Sequence, residues 1–481
     1  MVHMTSLVFL VTVSAVPLFQ PVEPSPSESS SSTPSYWNTY RHRFDVLQKS
    51  LYASGAGNCS GTMCHGGAEP RPGEVILGDE WDRWYDSGKG VHFNAFHTLY
   101  EERSDRIVKL LYGRDAVAPE TAECRACHAF DVPEQKRPKR FDEKEGVMCE
   151  ACHGRAASWI GIHHIRQTWD VERSEEQRTA LGFYDTQNLI RRAEKCLECH
   201  LGTATKRVTH RMLAAGHPPV ALELVNDLER VPRHWTDKQS FLTPGEGSWF
   251  HARVWAVGQA VRLRESMYGL ATWADNIGPP DYSFFNCYSC HHDLKNETRR
   301  SHGVSPETLG DPTFDQATVL MCRSLVAILL PDDAATYDNA ANAVTKLLSI
   351  YGTDRNAIKK GAFDLAALAD KLAVTAERKA FDRSITFAIL QKLANDREAI
   401  AYQGYRAAVE MLFACNALYV KAVLSDRKLT PTDPLDDALR KLDNMLYDES
   451  GGETPQKYDP ATFLALMAET ASGLGLLDKN P

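Results

Sequence analysis

The sequence predicts a mainly α protein in two parts, a strand-poor region over residues 37–302 and an all-α helical bundle over 303–481. Three observations predict it. Ten of the twelve cysteines fall in five units of two cysteines followed at once by a histidine, from Cys59 to His291. All 17 histidines lie at or before His302, so the remainder is a clean break in composition. Beyond that break, apolar residues recur at helical spacing: Leu365, Leu368 and Leu372, then Ile385, Ile389 and Leu393. No repeat signature is present, which favours a bundle over a solenoid.

A chain of 481 residues is long enough for two or three domains. The net charge of −9 gives no reason to expect a nucleic-acid partner. At the N-terminus, Leu7 to Val13 is apolar and Val13-Ser14-Ala15 resembles a small-residue cleavage site, so residues 1–15 read as an export signal. Its basic flank is poor, because no Lys or Arg precedes Arg41. The apolar run is too short to cross a bilayer, and no integral membrane span is expected. Residues 16–36 are rich in Pro and Ser and read as a tether. Trp37 to Ser54 looks helical and leads into Gly55-Ala56-Gly57-Asn58.

The five units come next in order. The first is stretched, Cys59-Ser-Gly-Thr-Met-Cys64-His65. The others are regular: Cys124-Arg-Ala-Cys127-His128, Cys149-Glu-Ala-Cys152-His153, Cys196-Leu-Glu-Cys199-His200 and Cys287-Tyr-Ser-Cys290-His291. C-x-x-C-H is the attachment signature of c-type haem. Two thiols add to the vinyl groups of one porphyrin, and the adjacent histidine reaches one face of its iron. A disulfide framework does not require a histidine after each second cysteine. Zinc ribbons use pairs of such knuckles, and five is an odd count for them. A thioredoxin-like motif needs a βαβ context that is missing here. The expected cofactor is therefore five covalently attached haems c, the one at Cys59 and Cys64 resting on the longer spacing.

Single-electron transfer is served by histidine on both faces of the iron, which also keeps the potential below that of a His/Met pair. Beyond His3 and the five motif histidines, eleven remain for five distal places. Gly216 before His217 and Pro218-Pro219 after it make a rigid, close-approaching backbone. His92 and His163 sit a short reach from motifs one and three. His210 lies two helical turns before His217. His292 adjoins a motif histidine and must point away from that haem, toward a neighbour. These five are the expected distal ligands, with His234 in reserve. His42, His97, His164, His251 and His302 are taken as non-ligands. Around His92 and His97, the residues Phe96, Leu99, Ile107, Leu110 and Leu111 fit one helical face, with Arg103 and Arg106 close to where haem carboxylates would lie. Cys322 and Cys415 sit on apolar helical stripes and read as core thiols. A disulfide between them is the weaker option.

Over residues 50–300 the chain resembles the multihaem cytochromes c of the c-552/c-554 class, in particular an exported bacterial branch with a stretched first motif. The residues that carry this are Cys59-Ser…Cys64-His65-Gly-Gly, Tyr100-Glu-Glu-Arg-Ser, Cys149-Glu-Ala-Cys152-His153-Gly154, Leu213-Ala-Ala-Gly-His217-Pro and Cys287-Tyr-Ser-Cys290-His291-His292-Asp-Leu. The resemblance implies a multihaem cytochrome c domain with little strand. It favours His92 over His97 and His163 over His164, and supports His292 as a ligand to an adjacent haem. Pro219-Val-Ala-Leu departs from the class pattern after His217. The function it implies is electron transfer between redox partner proteins in the periplasm or otherwise outside the cytoplasm. The alternative is an oxidoreductase acting on a small nitrogen or sulfur compound at one five-coordinate haem. No motif carries Lys in place of His, as multihaem nitrite reductases do at their active haem, and this favours transfer. The C-terminal helices are expected to serve docking or dimerisation.

Overall fold

The helices of this chain follow where its caps and apolar spacing put them. Helix α1 spans Tyr40–Ser50, α2 Glu80–Tyr85, α3 Glu102–Tyr112, α4 Ala122–His128 and α5 Cys149–His153. After α6 (Glu175–Ala180) come α7 (Leu189–His200), α8 (His210–Ala214), α9 (Leu224–Leu228) and the long α10 (Phe250–Ala274). The computed structural model describes residues 40–67, 79–85, 90–203, 206–235, 247–275, 281–287, 290–291, 313–349, 354–421, 433–447 and 458–477. Among these there is no strand, and an isolated antiparallel bridge joins Phe285 and Phe314. The protein is mainly α. The export signal, the tether, His292 and His302 lie outside the described residues.

The region before α10 is built of short helices and turns. Ser174 and Gln177 form a reciprocal capping box on α6, and the Asn188 side chain accepts from the Arg191 amide at the start of α7. Glu150, inside motif three, is buried and accepts from the amides of Ser54 (2.8 Å), Gly55 (2.7 Å) and Ala156 (2.6 Å). One carboxylate thus fixes the chain entering motif one against motif three. Gly154 follows motif three at φ +82°, and a Cβ there would meet the Gly182 carbonyl oxygen at 2.0 Å. Only glycine fits that position. On α3, Ile107 and Leu111 are buried, as are Phe96 and Leu99 ahead of it. Leu110 is not: it is 66% exposed, because the buried face of α3 runs over Ile107, Leu111 and Val108 and Leu110 lies at its margin, on the side away from Val108.

The later helices are α11 (Ala317–Leu329), α12 (Ala334–Leu348), α13 (Arg355–Arg378), α14 (Arg383–Asn395), α15 (Arg397–Gln403), α16 (Tyr405–Cys415), α17 (Asp433–Leu446) and α18 (Pro460–Leu477). Leu365, Leu372, Ile389 and Leu393 are fully buried, as their spacing predicts. Cys322 and Cys415 are buried free thiols, and burial pushes Cys415 up to about 12.

The largest apolar core takes residues from Leu189 to Met467 and so draws on both sides of the composition break at 302. Its axis is α10, which is buried on nearly every side and lies along α13. A helix surrounded in this way has no polar face. Its charged residues are therefore paired inside: Arg41 with Glu265 at 2.7 Å, Arg264 with Glu194, Glu265 and Asp370, and Arg262 with Glu410. Glu377 on α13 accepts from the amides of Leu189 (3.0 Å) and Ile190 (3.5 Å) and caps the helix that carries motif four.

Candidate haem sites

Three of the five motif histidines close a helix: α4 ends on His128, α5 on His153 and α7 on His200. Cys59 of motif one lies beside Cys149 of motif three, and Cys127 of motif two beside Cys199 of motif four. None of the ten is fully buried.

Each motif histidine faces one further histidine. Ring centres are 6.2 Å apart for His65 and His163, 6.2 Å for His200 and His92, and 6.4 Å for His128 and His217. They are 6.5 Å apart for His153 and His234, and 6.3 Å for His291 and His210. A metal–imidazole bond is about 2.0 Å and the ring centre sits roughly 1.1 Å behind the bonding nitrogen, so two imidazoles on opposite faces of one ion have centres about 6 Å apart. The spacing fits one six-coordinate iron between each pair. Among the described residues no three or more His, Cys, Asp or Glu converge as a metal-ion site; the histidines meet in twos.

Second contacts orient these rings. The Nδ1 atoms of His163, His217 and His234 lie 2.8, 2.8 and 3.0 Å from the carbonyl oxygens of Ile160, Pro218 and Pro232. His128 Nδ1 lies 2.8 Å from the Ala95 carbonyl and 3.1 Å from the Thr98 hydroxyl. His65 Nδ1 lies 3.4 Å from the Glu80 carboxylate. Burial pulls His92 down to about 4 and His153 to about 3, and lowers His163, His217 and His234 as well. Neutral imidazole is the metal-binding form. Gly216, at φ +106°, turns the chain ahead of His217, and Arg103 donates to its carbonyl at 2.9 Å.

Of the five histidines expected at distal places, His92, His163, His210 and His217 each oppose a motif histidine. The place opposite His153 is taken by His234, which the sequence held in reserve. Pro232 turns the backbone there and its carbonyl fixes the ring. His97 packs on Phe93 and His164 lies beside its neighbour His163. Among the described residues, large apolar side chains left exposed fall almost wholly in this region: eleven of twelve lie between Val46 and Tyr282. Such uncovered surface is what flat apolar cofactors would bury.

Attachment motifs on an α scaffold with paired histidines define a c-type cytochrome. Residues 59–154 match the family model of cytochrome c554 and c-prime, and this supports a multihaem cytochrome c family. No curated protein and no solved structure matches the chain. Among the described residues no helix is long and apolar enough to cross a membrane.

Proposed function

We propose that this chain is an exported electron-transfer cytochrome holding five haems c, each with histidine on both faces. The observation that carries this reading is the presence of a second imidazole opposite every motif histidine, the stretched motif included. We assign the pairs as His65 with His163, His128 with His217, His153 with His234, His200 with His92 and His291 with His210. When bound, haem supplies a one-electron iron couple. The chain holds the ring by two thioethers and keeps both iron faces closed, so the coordination changes little between oxidation states. Closed faces argue against catalysis at an open iron. The thiol contacts between motifs one and three and between two and four, with His210 and His217 on one short segment, support a continuous path between redox partners.

Mass spectrometry of the holoprotein and magnetic spectroscopy of its oxidised form test the reading. Five haems, all low-spin, are expected. Four haems would remove the stretched motif, and a high-spin iron that binds nitrite or cyanide would restore the catalytic alternative.

The Glu80 carboxylate beside His65 Nδ1 draws on that proton and makes the ring a stronger donor to ferric iron. Glu80→Gln is expected to raise the midpoint potential of one haem by roughly tens of millivolts and leave the other four unmoved, as followed by spectropotentiometry.

A further inference from the structure

The five histidine pairs differ in how their rings are turned. His65 and His163 are nearly parallel at 9°, and His210 and His291 are tilted by 30°. His92 and His200 cross at 77°, His128 and His217 at 80°, and His153 and His234 at 90°. For two imidazoles bound along one axis, this angle is a rotation about that axis, and it is held by whatever touches each ring. His163, His217 and His234 are held through Nδ1 by a backbone carbonyl. His92 is not: its Nδ1 is buried and has no hydrogen-bond partner among the described residues. What His92 has is Trp84. The indole stacks on the imidazole at 5.5 Å and 3°, and is itself only 7% exposed. The same indole meets His234 edge-on at 5.3 Å and 77°.

We propose that Trp84 is a positioning residue that sets the ligand plane of His92 by stacking, where a carbonyl does this for His163, His217 and His234. The proposal rests on His92 and His200 being an axial pair. A ring with no anchor at Nδ1 turns easily about its metal bond; a flat, immobile neighbour parallel to it removes that freedom. Trp84 is immobile because α2 is docked through its buried residues, with Glu80 against His65 at one end and the indole between His92 and His234 at the other. His234 shares the contact but keeps its own anchor on Pro232, so only His92 depends on it.

Electron paramagnetic resonance of the oxidised holoprotein reads this angle. Low-spin ferric haem with crossed imidazole planes gives a larger maximal g value than with parallel planes. The native protein is expected to show three haems of the first kind and two of the second. In Trp84→Leu, one signal leaves the large-g class while haem mass and low-spin state are unchanged. Trp84→Phe, which keeps a flat face, retains all three. Three large-g signals in Trp84→Leu would overturn the proposal. If that variant does not assemble, Trp84→Met fills the space without a ring, and three such signals there overturn it equally. His92→Ala separates the two levels: if every iron stays low-spin, His92 is not a ligand, and the pairing fails rather than the role of Trp84.

Discussion

Replacing His234 by Ala is expected to convert one of the low-spin irons of the holoprotein to high-spin, with all covalently bound haem retained. His234 stands 6.5 Å from His153 and is turned toward it by its Nδ1 contact with the Pro232 carbonyl. Burial lowers its pKa and so favours the neutral form that binds metal. Without it, the iron over motif three loses its second strong ligand, its potential rises, and cyanide or carbon monoxide enters the vacated face. The companion variant His292→Ala is expected to leave every iron low-spin, because the five motif histidines already have partners in His92, His163, His210, His217 and His234. The opposite result, high-spin iron in His292→Ala and none in His234→Ala, would return the fifth place to the histidine beside motif five. Optical and magnetic spectra of the two purified holoproteins suffice.

The pair exposes what sequence reasoning could reach here. The thiols and motif histidines could be proposed from the sequence because covalent attachment demands fixed spacing along the chain. The distal histidines are placed by tertiary structure, and nearness in sequence misleads. His163 lies ten residues after motif three yet faces His65 of motif one, and His92 precedes motif two yet faces His200 of motif four. His217 carried a local signal in Gly216 and Pro218-Pro219, since a backbone turn is itself a local property, and its ring lies opposite His128. His234 had Pro232 two residues before it, a weaker form of the same signal. Trp84 and Glu80 carried none: both act through space on rings whose positions the sequence does not reveal.

The helical tail was legible for a similar reason and its task was not. Periodic stripes such as Leu365 and Leu372 mark helices that bury one face. The helix they pack on, α10, has no stripe, since it is buried nearly all round and carries Arg253, Arg262, Arg264 and Glu265 inside. Amphipathic patterning cannot find such a helix. The apolar faces of the tail, expected to serve docking or dimerisation, line the core they share with α7 and α10. That sharing gives residues 317–477 a structural role in holding the helix of motif four.

Arg264→Met is expected to cost about 3–5 kcal/mol of stability at neutral pH, as removal of one member of a buried ionic cluster typically does. Arg264 is bound by Glu194 on α7, by its neighbour Glu265 and by Asp370 of α13 at 2.6 Å. The side chains of Arg264, Glu194 and Glu265 are 5%, 4% and 2% exposed, so none can turn to water. Arg41 would still answer Glu265 at 2.7 Å, but Glu194 would be left without its cation. Burial already raises the Glu194 carboxyl above its usual range, and Arg264 pulls it back. In the variant that restraint is gone and the folded protein holds the Glu194 proton more tightly than the unfolded chain does. The folded state then binds more protons, so its stability falls as pH rises above the ordinary carboxylate range. The deficit against the native protein should therefore grow from mildly acidic to neutral pH, and Glu194→Gln in the same chain should remove that growth. Urea unfolding of the holoproteins at several pH values measures both. A loss independent of pH and unaffected by Glu194→Gln would mean that packing of the Arg264 stem, not the charge of Glu194, ties the tail to motif four.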